Sequence, residues 1–108
     1  MEHFQEKLQA FRALVESDTR ARYAADFGID KLAVHEPNMI ARTKIGGKYA
    51  KVDVGTSGKY MVEMDTGRIF GIKGYGVIHR GHSYGTLDTT NEWNWGGYVA
   101  VRTMQVAA

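Results

Sequence analysis

The segment Ala50–Lys73 reads AKVDVGTSGKYMVEMDTGRIFGIK and contains two candidate β-hairpins. Its apolar residues alternate with charged ones on either side of two short loops, a pattern typical of strands that bury one face. Thr56–Gly58 and Asp65–Gly67 both end in glycine, the residue that three-residue hairpin loops favour at their last position. The segment therefore predicts an antiparallel meander of three strands.

These loop lengths also predict the register of the strands. The first loop pairs Val52 with Val62, and the second pairs Val62 with Phe70. The same register places Tyr60 and Ile72 on the buried face. The residues left on the opposite face are Lys51, Asp53, Lys59, Met61, Glu63, Ile69, Gly71 and Lys73.

The N-terminal region, residues 1–28, has the periodicity of an amphipathic helix. Its apolar residues recur every three or four positions and share one helix face: Phe4, Leu8, Phe11 and Val15. A second helical segment, or a kinked continuation of the first, follows as far as Gly28, a residue that favours helix termination. Pro37 predicts a non-helical connection before the sheet.

These elements predict a single α+β domain over residues 1–108. In it, an N-terminal helix or helices (residues 1–28) pack on an antiparallel β-meander of four to six strands (residues 40–104). A chain of 108 residues with 44% hydrophobic and 24% charged side chains has the composition of one globular domain. Cysteine is absent, which excludes disulfides and thiolate metal sites. No apolar run is long enough for a membrane span, so we expect a cytoplasmic protein with no membrane partner.

The cationic residues are concentrated in the predicted sheet. Residues 40–82 contain eight Lys or Arg against three Asp or Glu, whereas residues 1–39 contain five against seven. An uneven distribution of this kind attracts anionic partners at short range. The overall net charge of +2 is too small to indicate such a partner by itself.

The segment Lys73–Arg80 has the residue types that contact nucleic acid. It matches the RNA-recognition-motif signature at five of eight positions, but residues 83–97 lack the helix that follows in that fold. A tyrosine flanked by glycines and cations either stacks on bases or simply packs on the sheet. We expect a non-enzymatic protein that binds single-stranded nucleic acid, either DNA or RNA. The predicted contact residues are Lys51, Lys59, Lys73, Tyr75, His79, Arg80 and His82.

The histidine pair of this set suggests no reaction by itself. His79 and His82 are three residues apart, but no cysteine or nearby carboxylate completes a set of metal ligands. No known catalytic motif is present, so neither a catalytic residue nor a cofactor is predicted. An enzyme that uses either histidine would need a carboxylate brought close by the fold.

Trp93 and Trp95 support an alternative function. Two residues apart in an extended segment, they point to the same side. They either cover one end of the core or form an aromatic platform for a partner protein. The alternative is thus a protein-interaction module, such as an inhibitor of a host defence or replication protein, or a structural homo-oligomer.

Short motifs between residues 48 and 88 carry a resemblance to a known group of proteins. They are the Lys48-Tyr49-Ala50-Lys51 strand, the hairpin around Asp65-Thr66-Gly67 that continues into Ile69 and Phe70, and the segment Gly85–Asp88. This layout resembles small uncharacterised bacteriophage-encoded proteins. The resemblance implies a viral origin and no catalytic residues.

Overall fold

The computed structural model describes residues 2–103. Within this range the chain forms two helices, five long strands and two short ones. In chain order the elements are α1 (Phe4–Phe27), a 3-10 turn (Ile29–Lys31), α2 (Leu32–Met39), β1 (Ala41–Ile45), β2 (Tyr49–Val54), β3 (Ser57–Glu63), β4 (Arg68–Gly74), β5 (Val77–Thr86), a second 3-10 turn (Thr90–Glu92), β6 (Trp93–Asn94) and β7 (Val101–Arg102). The predicted sheet boundary at residue 104 lies outside the described residues.

The first five strands form one antiparallel sheet in the order β1-β2-β3-β4-β5. The N-terminal helix packs on one face of this sheet, so the predicted α+β fold with a meander of four to six strands is confirmed. The strands β6 and β7 form a separate two-stranded ladder.

The helix α1 is one continuous element of 24 residues. Leu8, Phe11 and Val15 are buried on its inner face, as their spacing predicts. Gly28 ends the helix with φ 90°, and its N–H donates to the carbonyl of Ala24. The apolar stripe of α1 that the sequence indicates therefore packs on the sheet.

The connection after α1 differs from the prediction because Pro37 lies inside α2. Proline has no N–H, so α2 lacks one helical hydrogen bond, the one from residue 37 to the carbonyl of Ala33, and the helix ends two residues later. The guanidinium of Arg20 on α1 binds both carboxylate oxygens of Glu36, at 2.6 and 2.7 Å, and holds α2 against α1. Such a two-point ion pair raises the pKa of Arg20 and lowers that of Glu36.

The register of β2 and β3 is displaced by two residues from the predicted one. Val52 lies opposite Tyr60 instead of Val62, because the turn is formed by Gly55 and Thr56. Gly55 adopts φ 62°, a left-handed conformation that suits a tight turn. A shift of two residues leaves every side chain on its predicted face of the sheet, because strand side chains alternate.

One residue of β3 is an exception, because it belongs to a β-bulge. Val52 pairs with Tyr60 and Asp53 pairs with Gly58, so Lys59 has no partner of its own on β2. In a bulge the extra residue points to the same side as its neighbour. Lys59 therefore lies on the helix side with Tyr60, and the prediction that it shares a face with Lys51 is wrong.

The register of β3 and β4 is displaced by one residue, and this reverses the faces of β4. Val62 lies opposite Ile69, and Met61 lies opposite Phe70. Ile69 joins the core beneath α1, while Phe70 lies on the other face, contrary to the prediction. Phe70 is still only 3% exposed, and the guanidinium carbon of Arg68 lies 5.2 Å from its ring centroid.

The core is centred on Trp95, whose side chain is completely buried. Its ring meets those of Phe11, Tyr60 and Tyr84 edge-on, with centroid distances of 4.7, 5.2 and 6.1 Å. Both of its N–H groups are satisfied, because the backbone N–H donates to Asp18 and the indole N–H donates to the carbonyl of Thr90.

Candidate binding surfaces

The sheet has one face that α1 does not cover, and we call it the open face. Directly opposed residues of antiparallel strands share a face, so the row Lys44, Lys51, Met61 and Phe70 identifies it. Alternation along the strands adds the neighbours of this row. The charged and aromatic members of the open face are Arg42, Lys44, Tyr49, Lys51, Asp53, Glu63, Arg68 and Phe70.

The side chains of Tyr75 and Arg80 reach over the open face from the β4–β5 hairpin. The hydroxyl of Tyr75 donates to Asp53 at 3.2 Å, and the ammonium of Lys51 lies 4.9 Å from the Tyr75 ring centroid. The ring rests on Gly58, where an added Cβ would be only 2.8 Å from it. Arg80 donates to the hydroxyl of Tyr49 at 3.2 Å.

Tyr75 remains accessible although it packs on the strand beneath it. Its side chain is 56% exposed. Partial loss of solvent, together with the adjacent carboxylate of Asp53, raises the pKa of its phenol. The ring is therefore a neutral, exposed surface at neutral pH with a cation beside it.

A second candidate site is a cleft of about 650 Å³ between strands β3–β5 and residues 98–99. The ionisable side chains that line it are Lys59, Tyr60, Lys73, Tyr75, His79, His82, Tyr84 and Tyr98. Its floor follows the cross-strand row Tyr60, Gly71 and His79, which belongs to the helix side of the sheet. We refer to it below as the cleft.

A large bulge in β5 brings the two histidines of the cleft together. Between the pairs Phe70–Ser83 and Gly71–His79, β4 advances by one residue and β5 by four. Three residues of β5 are therefore extra at this point, and they include His82. The rings of His79 and His82 stack with centroids 4.0 Å apart and an interplanar angle of 6°.

Gly71 makes room for this arrangement on the neighbouring strand. An added Cβ at this position would lie 3.0 Å from Cβ of His82 and 3.2 Å from the hydroxyl of Tyr84. Burial raises the pKa of the Tyr84 phenol, so this hydroxyl stays protonated at neutral pH.

Lys59 occupies the cleft because of the bulge in β3. Its ammonium donates to the carbonyls of Gly97 and Tyr98, at 2.7 and 3.3 Å. Burial lowers the pKa of this ammonium. Carbonyl groups solvate the charge but do not neutralise it.

The sequence-predicted contact residues are thus divided between two surfaces. Lys51 and Arg80 lie on the open face, and Tyr75 extends from that face to the rim of the cleft. The remaining members of the predicted set line the cleft: Lys59, Lys73, His79 and His82. Sequence reasoning missed Arg42, Lys44, Tyr49 and Arg68 on the open face, and Tyr84 and Tyr98 in the cleft.

The signals that could have found these residues differ. Arg42 and Lys44 alternate with Ala41 and Thr43 in β1, so strand periodicity alone would have placed both on one face. Arg68 lies two residues before Phe70 in β4, so it can be assigned to the open face once the face of Phe70 is known. No local pattern indicates that Tyr98 is near Lys59.

The tryptophans do not form an exposed platform. Trp95 is fully buried and offers no surface to a partner, so it packs in the core, as the first of the two interpretations has it. Trp93 is half-buried, and its ring centroid lies 6.0 Å from that of Trp95. The guanidinium carbon of Arg102 lies 5.8 Å from the Trp93 ring centroid.

Among residues 2–103, no group of three or more His, Cys, Asp or Glu side chains is placed to hold a metal ion. No helix in the same part of the chain is both long and apolar enough to cross a membrane.

Comparison with known proteins finds no family model that matches the chain, and no curated protein or solved structure that is similar to it. The resemblance to bacteriophage proteins over residues 48–88, and the viral origin that it implies, therefore stay predictions.

Proposed function

We propose that the protein binds single-stranded nucleic acid on the open face of its sheet. One observation carries the proposal: this face, which α1 does not cover, has cations on every long strand except β3, with tyrosines between them. The cations are Arg42, Lys44, Lys51, Arg68 and Arg80, and the only described carboxylates that accompany them are Asp53 and Glu63. Cations neutralise phosphates, and aromatic rings stack on bases.

The pairing of Lys51 with Tyr75 supports this function in particular. A base that stacks on the exposed part of the Tyr75 ring would bring its phosphate close to the ammonium of Lys51, 4.9 Å from the ring centroid. Because a lysine side chain is flexible, it can exchange its contact with the ring for one with a phosphate oxygen. Arg80 and Tyr49 repeat the combination of cation and ring on the same face.

Single strands fit this surface better than duplexes. The bases of a duplex are stacked on one another, so their faces are not available to a side chain on a broad sheet. Unpaired bases can turn outward and lie on a tyrosine, as they do on other sheet surfaces that bind single strands.

Fluorescence anisotropy with short labelled DNA and RNA strands tests the proposal. We expect binding that weakens steeply between about 50 and 200 mM salt. Lys51→Gln should reduce the slope of log affinity against log salt by about 1. Tyr75→Ala should weaken binding roughly tenfold at constant salt, because it removes a stacking partner. Lys31→Gln, in the 3-10 turn after α1, is the matched control and should have no effect on the slope.

Absence of binding at both salt concentrations would refute the proposal, as would equal effects of Lys51→Gln and Lys31→Gln. Light scattering on the same samples tests the alternative of a structural oligomer. A defined oligomer that binds no oligonucleotide would favour the protein-interaction function over the proposed one.

A further inference from the structure

Apart from Tyr75 at its rim, the cleft is lined by ionisable side chains to which the proposed binding of nucleic acid on the open face gives no role. Its ionisable lining consists of Lys59, Lys73, two histidines and tyrosines. None of the described residues that line it is Asp or Glu. A concave site with cations and without carboxylates focuses a positive potential inward and favours an anionic ligand.

Lys59 is the residue that most requires such a ligand. Its ammonium is partly removed from water, and its hydrogen-bond partners among residues 2–103 are the neutral carbonyls of Gly97 and Tyr98. An ammonium has three donors, so one N–H remains for a ligand oxygen. A partly desolvated cation without a counter-ion gains more from an anion than an exposed one does.

The remainder of the lining suits a planar ring. Tyr84 and the stacked pair of His79 and His82 form one wall, and Tyr98, 95% exposed, stands at the mouth. The volume of about 650 Å³ lies within the range of pockets for small organic ligands.

The histidine geometry favours binding over phosphoryl chemistry. General acid–base cleavage of a phosphate ester needs the base and the acid on opposite sides of the phosphorus, in line with the entering and leaving oxygens. His79 and His82 lie parallel and 4.0 Å apart, so both would approach a bound phosphate from the same side.

We propose that the cleft binds a small phosphorylated molecule with a planar ring, of the nucleoside monophosphate class. Lys59 and Lys73 hold the phosphate, while Tyr84 and the stacked imidazoles contact the ring. The site shares only Tyr75, at its rim, with the residues named for the open face, so either site could exist without the other.

Isothermal titration calorimetry with adenosine monophosphate, adenosine and inorganic phosphate tests the proposal. We expect the monophosphate to bind at least about tenfold more tightly than adenosine or phosphate, because both halves of the site contribute. Lys73→Gln should weaken binding of the monophosphate roughly tenfold. Lys73 is exposed, so its replacement does not endanger folding even if that of Lys59 does. Lys44→Gln, on the open face, should leave the affinity unchanged.

The position of the ligand is read from the imidazole resonances in NMR spectra. Adenosine monophosphate should shift the signals of His79 and His82 and leave those of His3 and His35 in place. No heat and no shift at millimolar ligand would overturn the proposal. Equal affinity for phosphate and the monophosphate would overturn the role of the ring. Lys51→Gln should weaken oligonucleotide binding without affecting the monophosphate, so failure of one proposal is distinguishable from failure of the other.

Discussion

The imidazole rings of His79 and His82 are stacked although the two residues are three positions apart in a strand. Regular alternation would place residues three apart on opposite faces of the sheet. The extra residues of β5 allow both rings to reach the same side. Gly81 permits the contact, since an added Cβ there would lie 3.1 Å from Cε1 of His79.

Replacement of Gly71 tests how tightly the cleft wall is packed. Gly71→Ala places a methyl group 3.0 Å from Cβ of His82 and 3.2 Å from the hydroxyl of Tyr84. We expect a loss of about 1–3 kcal/mol in unfolding free energy, measured by urea denaturation. Gly74→Ala on the same strand has no neighbour within 4 Å of the added atom and serves as the control. Equal stabilities of the two variants would show that His82 and Tyr84 can move to accommodate the added methyl group without loss of stability.

Truncation of Trp95 should be much more damaging than truncation of Trp93. Trp95→Ala removes the central ring of the core, and we expect it to destabilise the protein by about 3–5 kcal/mol. Trp93→Ala should cost clearly less, because that ring is only half-buried. Thermal melts followed by circular dichroism compare the two, and tryptophan fluorescence of each variant reports the environment of the ring that remains. Similar melting temperatures would contradict the central role of Trp95.

Stability should fall in alkaline solution because of Tyr60. Burial raises the pKa of its phenol in the folded protein above the ordinary value of 10.0. The unfolded chain therefore loses this proton first, so the contribution is fully present below pH 10 and is lost as the pH rises toward the folded-state pKa. The unfolding free energy should decrease by up to about 1.4 kcal/mol per pH unit in this window.

Urea denaturation at several pH values above neutrality measures this slope. Tyr60→Phe should flatten it, although the variant also loses the hydrogen bond to the carbonyl of Trp95 at every pH. Tyr98→Phe, which removes an exposed phenol, should keep the wild-type slope. An unchanged slope in Tyr60→Phe would assign the alkaline loss to other groups.

Lys59 and Lys51 should behave differently in oligonucleotide binding. Both are lysines of the hairpin β2–β3, but Lys59 donates to residues 97 and 98 on the helix side. We expect Lys59→Gln to leave the salt dependence of oligonucleotide binding unchanged and to lower the melting temperature, because two hydrogen bonds to the chain are lost. A salt slope reduced as far as in Lys51→Gln would place the two lysines on one binding surface after all.

Alternation of apolar and polar residues alone was enough to predict that the strands exist and which side chains of β2 and β3 face the core. Val52, Tyr60 and Val62 are buried as expected, although the first register was displaced by two residues. That error left these three side chains on their predicted face, because the strand period is also two. The displacement of one residue in β4 did matter, since it moved Phe70 to the open face and Ile69 to the core.

The candidate sites were harder to predict because they depend on bulges. Which glycine forms the first turn, Gly55 or Gly58, decides whether Lys59 is an ordinary strand residue or an extra one. No local pattern distinguishes these possibilities, since both glycines suit a hairpin loop. The bulge of β5 has one signal in the segment 79–83, because Gly81 is a glycine inside a strand pattern. A glycine does not indicate how many residues are extra, so the division of the predicted contact residues between two surfaces did not follow from the sequence.

The consecutive order of the strands bears on how the chain folds. Each ladder of the five-stranded sheet joins neighbours along the chain, so each needs only a short loop to close, at a small cost in chain entropy. The hydrogen bond from the Trp95 N–H to Asp18 instead joins residues 77 apart. The hairpins can therefore form early and independently, and the rate of folding should depend mainly on the step in which Trp95 docks between helix and sheet.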